Sequence, residues 1–286
     1  MSYATPRLRP LGVGDLLDEI IRLYRNHFLL LAGISAVVLA PLAFLEYLWR
    51  TFLLHPEGLQ QGSLSSLSAA GIGSGVWGIL SWLASVAVNL AITYAVSEIY
   101  LGRDPTLGSA FAGGLRRFGA AVGLAVVLGL AVILMAVTIV GIPFAIYFGV
   151  CWALSFQAFV LEGLGIRAAM GRSRALVRGT WWRVLGIAIL IGIIGSILAF
   201  VIGLLNGVVD IVLLFARSSG LGLAFLSVLA FIVNLAAQVF TAPIWYCGAV
   251  LLYYDLRVRK EGFDLELMAS DMGVPPAPPQ AEPTLE

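Results

Sequence analysis

The sequence predicts an all-α protein, a polytopic membrane helical bundle with six transmembrane helices. Of its 286 residues, 60% are hydrophobic and 12% are charged, whereas a soluble domain is about 45–50% apolar and about 25% charged. Five long stretches contain no Asp, Glu, Lys or Arg, namely residues 28–45, 58–97, 118–161, 184–209 and 218–254. Since a helix needs about 20 apolar residues to cross a bilayer, this pattern excludes a soluble globule and a disordered chain.

The first two predicted spans cover residues 28–49 and 76–100, with a Gly/Ser-rich loop between them. Residues 1–27 carry mixed charge and end at no small-residue cleavage site. We therefore expect no secretory signal peptide, and the first span is predicted to stay in the mature protein.

Spans three and four come from one apolar block, residues 119–162, which is too long for a single crossing. Gly141, Ile142 and Pro143 interrupt it, and proline disfavours helical geometry at the residue before it. The block therefore divides into predicted spans at 119–139 and 143–162.

Span five is predicted at residues 184–215, with an exit or bend at Asn206 and Gly207, and span six at 222–252, with a kink at Pro243. We assign residues 1–268 to a single integral membrane domain. Residues 269–286 form a proline-rich tail that is predicted to be disordered on the cytoplasmic side.

The distribution of Lys and Arg predicts the orientation. On one side of the predicted spans lie 15 of the 17 cations: Arg7, Arg9, Arg22, Arg25, Arg103, Arg116, Arg117, Arg167, Arg172, Arg174, Arg178, Arg183, Arg257, Arg259 and Lys260. The other side carries only Arg50 and Arg217. Both termini are therefore expected in the cytoplasm.

The same order of elements recurs three times along the chain: an interfacial helix, a span, a short outer turn and a second span. Apolar stripes at helical spacing lie before spans one, three and five, for example Leu107, Ala110, Phe111 and Leu115, and indicate amphipathic helices in the cytoplasmic interface. This order suggests a threefold repeat. The alternative is that any six-span protein made of hairpins has such a period.

Three carboxylates end the even-numbered spans, where they oppose the helix dipole and need a nearby cation. A Lys or Arg follows each carboxylate by five residues. The predicted structural ion pairs are Glu98 with Arg103, Glu162 with Arg167, and Asp255 with Lys260.

The sequence offers no catalytic, cofactor-binding or metal-binding set, and we expect a non-enzymatic protein without cofactors. His27 and His55 are predicted on opposite sides of the membrane, and Cys151 and Cys247 lie inside apolar runs. We find no nucleophile elbow, phosphate-binding glycine loop or Cys-x-x-Cys. No nucleic-acid partner is expected.

The best functional candidate is a basic cytoplasmic surface. The candidate contacts for lipid or a partner are Arg116, Arg117, Arg167, Arg172, Arg174, Arg178, Trp181, Trp182 and Arg183. Each cation near an anionic leaflet contributes about 1 kcal/mol. Two interpretations are open: these residues only set topology, or they form a docking surface for anionic headgroups or a membrane protein.

Polar residues within the spans are few. Asn89, Asn234 and Gln238 are predicted at mid-depth, with Gln157 nearer the inner face. Amides in spans commonly join helices. A cavity lined by the first three would instead favour a transporter or lipid-translocating protein.

Three segments resemble one protein family. They are residues 9–12 and 14–18 (RPLG and GDLLD), 173–183 (SRALVRGTWWR) and 253–265 (YYDLRVRKEGFDL). Together they look like the bacterial membrane domain that accompanies some glycerophosphoryl diester phosphodiesterases and also stands alone. The resemblance spans residues 7–267 and implies a six-span module of the bacterial inner membrane without a catalytic barrel. We expect an accessory or scaffold module that contacts anionic lipids or a membrane partner.

Overall fold

The computed structural model describes residues 12–49, 64–216 and 220–262, and within these ranges the chain is helical with no strand. This confirms the predicted all-α bundle. The Pro-rich tail lies outside the described residues, as do the first eleven residues with Arg7 and Arg9, His55, and both cations predicted on the far side, Arg50 and Arg217.

The first three helices are α1 (Val13–Asn26), α2 (Phe28–Leu48) and α3 (Leu64–Tyr100). α1 begins where the Gly12 amide donates to the Asp15 carboxylate at 3.2 Å. α3 begins twelve residues before the predicted span, so much of the expected Gly/Ser loop is helical. No proline occurs between residues 57 and 104 to end the helix, and membrane helices tolerate glycine.

The next group contains α4 (Leu107–Gly114), a 3-10 turn (Leu115–Arg117), α5 (Phe118–Ala136), α6 (Gly141–Cys151) and α7 (Ser155–Leu161). The predicted break between spans three and four is present. At Gly141 an added Cβ would lie only 1.8 Å from the Met135 carbonyl oxygen, so the turn requires glycine there. The sequence did not predict the second break, at residues 152–154, which divides span four into α6 and α7.

The last helices are α8 (Ile166–Val177), α9 (Trp181–Ala216) and α10 (Gly220–Glu261). α9 runs through Asn206 and Gly207, so the exit proposed there is wrong. α10 continues through Pro243 and extends nine residues past the predicted end of span six.

By length and composition, five segments are able to cross a membrane, and the bent pair of α8 and α9 makes a sixth. A short helix precedes a long one three times, as α1, α4 and α8 precede α2, α5 and α9. This order agrees with the proposed repeat unit. Whether the three units superimpose stays a prediction.

The core lies at one end of the bundle, which we call the Arg-rich end. It is built by α1, α4, α7 and α8, with the first turns of α2, α5 and α9 and the last turns of α3, α6 and α10. Its largest buried side chains include Tyr253, Phe159 and Leu16. Toward the other end, the far end, no described side chain is buried beyond Ser35 on α2, Leu124 on α5 or Ile191 on α9.

Candidate functional site

A network of charges joins α7, α8 and α10 at the Arg-rich end. The Arg172 Nε donates to Glu162 at 2.8 Å, and its Nη2 donates to Glu261 at 2.8 Å. Arg257 also contacts Glu261, at 3.2 Å, and the buried Tyr253 hydroxyl donates to Glu162. Arg172 is therefore engaged by two carboxylates from two helices.

The predicted pair of Glu162 with Arg167 is wrong. Arg167 lies in the first turn of α8 with its side chain exposed. Arg172, five residues later, lies on the side of α8 that contacts α7 and α10, and takes the carboxylate instead. The spacing rule failed because the side of α8 that packs against α7 and α10 carries Arg172 and not Arg167, and spacing along the chain does not determine that side.

A second cluster surrounds Asp255, whose side chain is fully buried. Arg183 Nη2 and Arg259 Nε each lie 3.0 Å from its carboxylate. The predicted partner Lys260 is wrong, since five residues along a helix correspond to a rotation of about 140°, whereas the four residues to Arg259 leave about 40°. Lys260 instead donates to the carbonyl oxygens of Ala175, at 3.1 Å, and Arg178 at the end of α8.

The predicted pair of Glu98 with Arg103 is present, at 3.0 Å. α3 ends at Tyr100, so the chain between the two residues turns at Gly102, whose φ of +76° favours glycine. Arg117 also has a structural contact, because its guanidinium lies 4.6 Å from the Phe159 ring centroid and donates to the Leu164 carbonyl at 3.0 Å.

The seven arginines among the nine candidate lipid contacts therefore divide into two groups. Arg117, Arg172 and Arg183 hold helices together. Arg116, Arg167, Arg174 and Arg178 are exposed, and none of the four contacts a carboxylate among the described residues. Trp182 is 79% exposed, while Trp181 is half-buried.

Two of the exposed arginines line a cleft of about 540 Å³ between α6 and α8. Arg174 and Arg178 stand on one wall, and Tyr147 and Trp181 form another. The two rings stack with centroids 5.9 Å apart, and the Trp181 indole N–H donates to the Tyr147 carbonyl at 3.2 Å. The cleft is therefore both cationic and aromatic.

Ser173 fixes α8 beside this cleft. Its buried hydroxyl donates to the Cys151 carbonyl at 2.8 Å and accepts from the Leu154 amide at 3.2 Å. These are the backbone groups that the break between α6 and α7 leaves without helical partners. Broken helices in membranes need such side-chain partners, and the sequence alone gave no sign of this one.

Two cavities of about 230 and 220 Å³ lie between the predicted spans, are open on one side and are lined in part by polar side chains. Gln238 lines the first, between α2, α3 and α10, and Asn89 lines the second, between α3, α5, α7 and α10. Ser85 and Tyr246 line both, and the Tyr246 hydroxyl donates to the Ser85 carbonyl between them at 3.3 Å. Asn234 is exposed on α10 and lines neither cavity.

Within the described ranges, no group of three or more His, Cys, Asp and Glu is arranged to hold a metal ion. Cys151 and Cys247 are both buried, as their apolar surroundings predict. His27 lies at the junction of α1 and α2.

No family model, curated protein or solved structure matches this chain. The resemblance to the phosphodiesterase-associated membrane domain therefore stays a prediction, carried by the three segments quoted above.

Proposed function

We propose that this protein is a non-enzymatic accessory or scaffold module that recruits anionic lipids, or a membrane partner, at its Arg-rich end. The membrane is proposed to be the bacterial cytoplasmic membrane, with both termini in the cytoplasm. The six apolar helical segments support a multi-pass protein, and the excess of cations at one end supports the orientation.

One observation carries this proposal: the arginines at the Arg-rich end divide into a group that binds carboxylates and a group that is exposed. The carboxylates of Glu162 and Glu261 neutralise Arg172, and the buried Asp255 carboxylate neutralises Arg183. Arg116, Arg167, Arg174 and Arg178 face outward without a carboxylate from the described part of the chain. Topology alone does not require that these four form an exposed, unneutralised surface at the level where α9 enters the membrane.

Lipid composition tests the proposal. The purified protein, reconstituted in nanodiscs of phosphatidylcholine with or without phosphatidylglycerol, should melt at a higher temperature when the anionic lipid is present. Native mass spectrometry should find phosphatidylglycerol enriched among the retained lipids. Equal retention of the two lipids would remove the lipid part of the proposal, and a co-purified membrane protein in mild detergent would then indicate the partner.

The orientation has its own test. Green fluorescent protein fused after residue 286 should fluoresce in bacteria, and alkaline phosphatase at the same place should be inactive, because the former folds only in the cytoplasm and the latter only outside it. The reverse pattern would place the Arg-rich end outside the cytoplasm, and the proposed contact with the inner leaflet would then be refuted.

A transporter or lipid-translocating protein is the second candidate, and the two polar cavities favour it. Amide side chains inside membrane helices commonly join helices, but polar groups that face a cavity can instead line a path for water or substrate. Here the cavity that contains Gln238 and the one that contains Asn89 share Ser85 and Tyr246 as lining residues.

Thiol labelling tests this second candidate. Cysteine at Ser81 or Asn89, one in each cavity, should react with a membrane-impermeant maleimide if the cavities hold water. Cysteine at Ala95, which is fully buried on the same helix, is the control and should stay unlabelled. Protection of both cavity positions would exclude an aqueous path in this conformation.

A further inference from the structure

We infer that the cleft between α6 and α8 is a binding site for the phosphate headgroup of one anionic phospholipid. The inference rests on the proposed contact with anionic lipid and narrows it from a charged surface to a single site. Its four determinants are Tyr147, Arg174, Arg178 and Trp181.

The first step is the geometry of α8. The axes of α8 and α9 differ by 101° across a turn of three residues, in which Gly179 has a φ of +84°. A helix that crosses the bilayer as α9 does therefore places α8 nearly parallel to the membrane plane. Trp181 and Trp182 begin α9 at this bend, the depth at which tryptophan side chains concentrate in membrane proteins. The cleft thus lies at headgroup level.

The second step is charge. Arg174 and Arg178 are four residues apart on α8, so their side chains lie on the same face. Arg174 lies 5.8 Å from the Phe148 ring centroid, and neither guanidinium has a carboxylate partner within the described ranges. Two arginines on one face can bind phosphate oxygens through paired N–H donors. A headgroup with a quaternary amine would meet two like charges, so a phosphate without such an amine fits best.

The third step is what lies below the cleft. The outward surfaces of α6 and α9 expose large apolar side chains, among them Phe144, Ile146, Ile189 and Ile193. A lipid whose phosphate occupies the cleft would lay its acyl chains along this surface. The cleft volume, about 540 Å³, lies within the roughly 300–1,000 Å³ typical of small-molecule sites. A membrane lipid therefore fits better than a free phosphate.

The test compares two pairs of arginines that carry the same charge. Full-length protein in neutral detergent is titrated with dioleoyl phosphatidylglycerol, and bound lipid is counted by native mass spectrometry. Arg174→Gln with Arg178→Gln should weaken binding by at least roughly tenfold, because charge-assisted hydrogen bonds are lost. Arg116→Gln with Arg167→Gln removes the same charge from the surface outside the cleft and should weaken binding by a clearly smaller factor, because it takes away long-range attraction but no hydrogen bond to the phosphate.

Further variants and a competing ligand can also refute the inference. Arg174→Lys with Arg178→Lys keeps the charge but loses the paired donors, so it should still bind more weakly than the unaltered protein and covers the case in which the glutamine variant does not fold. Glycerol 3-phosphate should compete poorly, since it lacks the acyl chains. Equal losses from both glutamine pairs would overturn the site while leaving a diffuse anionic surface. No preference for phosphatidylglycerol over phosphatidylcholine in the unaltered protein would overturn the site together with the lipid part of the proposed function.

Discussion

The two ends of the bundle are built from similar apolar helices, but different interactions stabilise them. At the Arg-rich end, side chains such as Tyr253 and Leu16 are fully buried, and charged groups pair across helices. Toward the far end, α5 and α9 expose large apolar residues, with Leu134 at 71% and Phe200 at 67%. Among the described residues, fully buried side chains concentrate at the Arg-rich end.

The difference follows from the solvent. Between lipid tails, a leucine gains little by moving from lipid to protein, so no hydrophobic driving force brings the helices together there. At the membrane surface, broken helices, helix ends and carboxylates need polar partners. The Arg-rich end supplies these from neighbouring helices, and we expect substitutions there to have the larger effects.

The largest effect is expected for Asp255→Ala. It removes the fully buried carboxylate that Arg183 and Arg259 contact, and breaking such a pair costs about 3–5 kcal/mol. Steric trapping in bicelles would measure this loss of unfolding free energy. Asp18→Ala, the same change at an exposed position on α1, is the control and should be nearly neutral. A loss at Asp255 no larger than that at Asp18 would show that this cluster does not stabilise the end.

Ser173→Ala is expected to rank second. It leaves the Cys151 carbonyl and the Leu154 amide without the hydroxyl that joins them, at roughly 2–4 kcal/mol for two buried backbone groups. Ser196→Ala on α9 removes a hydroxyl that bonds only within its own helix and should cost far less. Similar melting temperatures for the two variants would mean that water can replace the Ser173 hydroxyl as the hydrogen-bond partner of the backbone groups at the break.

Gly114→Ala ranks third. An added Cβ would lie 2.7 Å from the Leu90 carbonyl oxygen of α3, so α4 must move away, at a cost of about 1–3 kcal/mol. Gly119→Ala, five residues later, meets nothing within 4 Å and serves as the control. Thermal denaturation in mild detergent should separate the two variants. If Gly114→Ala melts like Gly119→Ala, the close approach of α4 and α3 is not a constraint.

Much of this architecture could be predicted from the sequence, because charge scarcity and proline position are local properties. The break near Gly141 and the short helices before the long ones follow from such patterns. Ion pairs between different helices do not follow from such patterns. Five-residue spacing predicted Glu98 with Arg103 correctly only because α3 ends between them.

The candidate site shows the same limit. Arg172 and Arg174 are neighbours in sequence and look equivalent, yet the first is held by Glu162 and Glu261 while the second lines the cleft. Which face of α8 meets α10 decides this, and that contact joins residues nearly ninety positions apart. The i,i+4 spacing of Arg257 and Glu261 was the one local sign of the network that could have been used.

The smallest effect is expected for Glu98→Gln. This variant tests the contrast between an exposed ion pair and the buried Asp255 cluster, both at the Arg-rich end. Arg103 is 66% exposed, so water and salt weaken its attraction to Glu98, and an exposed pair contributes about 0–1 kcal/mol. The melting temperature should therefore change little, and the change should vanish in high salt. Arg103→Gln and the double variant should each match Glu98→Gln, since all three remove the same weak pair. A loss of stability as large as that of Asp255→Ala would show that burial of the carboxylate does not distinguish the Asp255 cluster from the pair of Glu98 and Arg103. The stability of this end would then depend on the number of ion pairs and not on their burial.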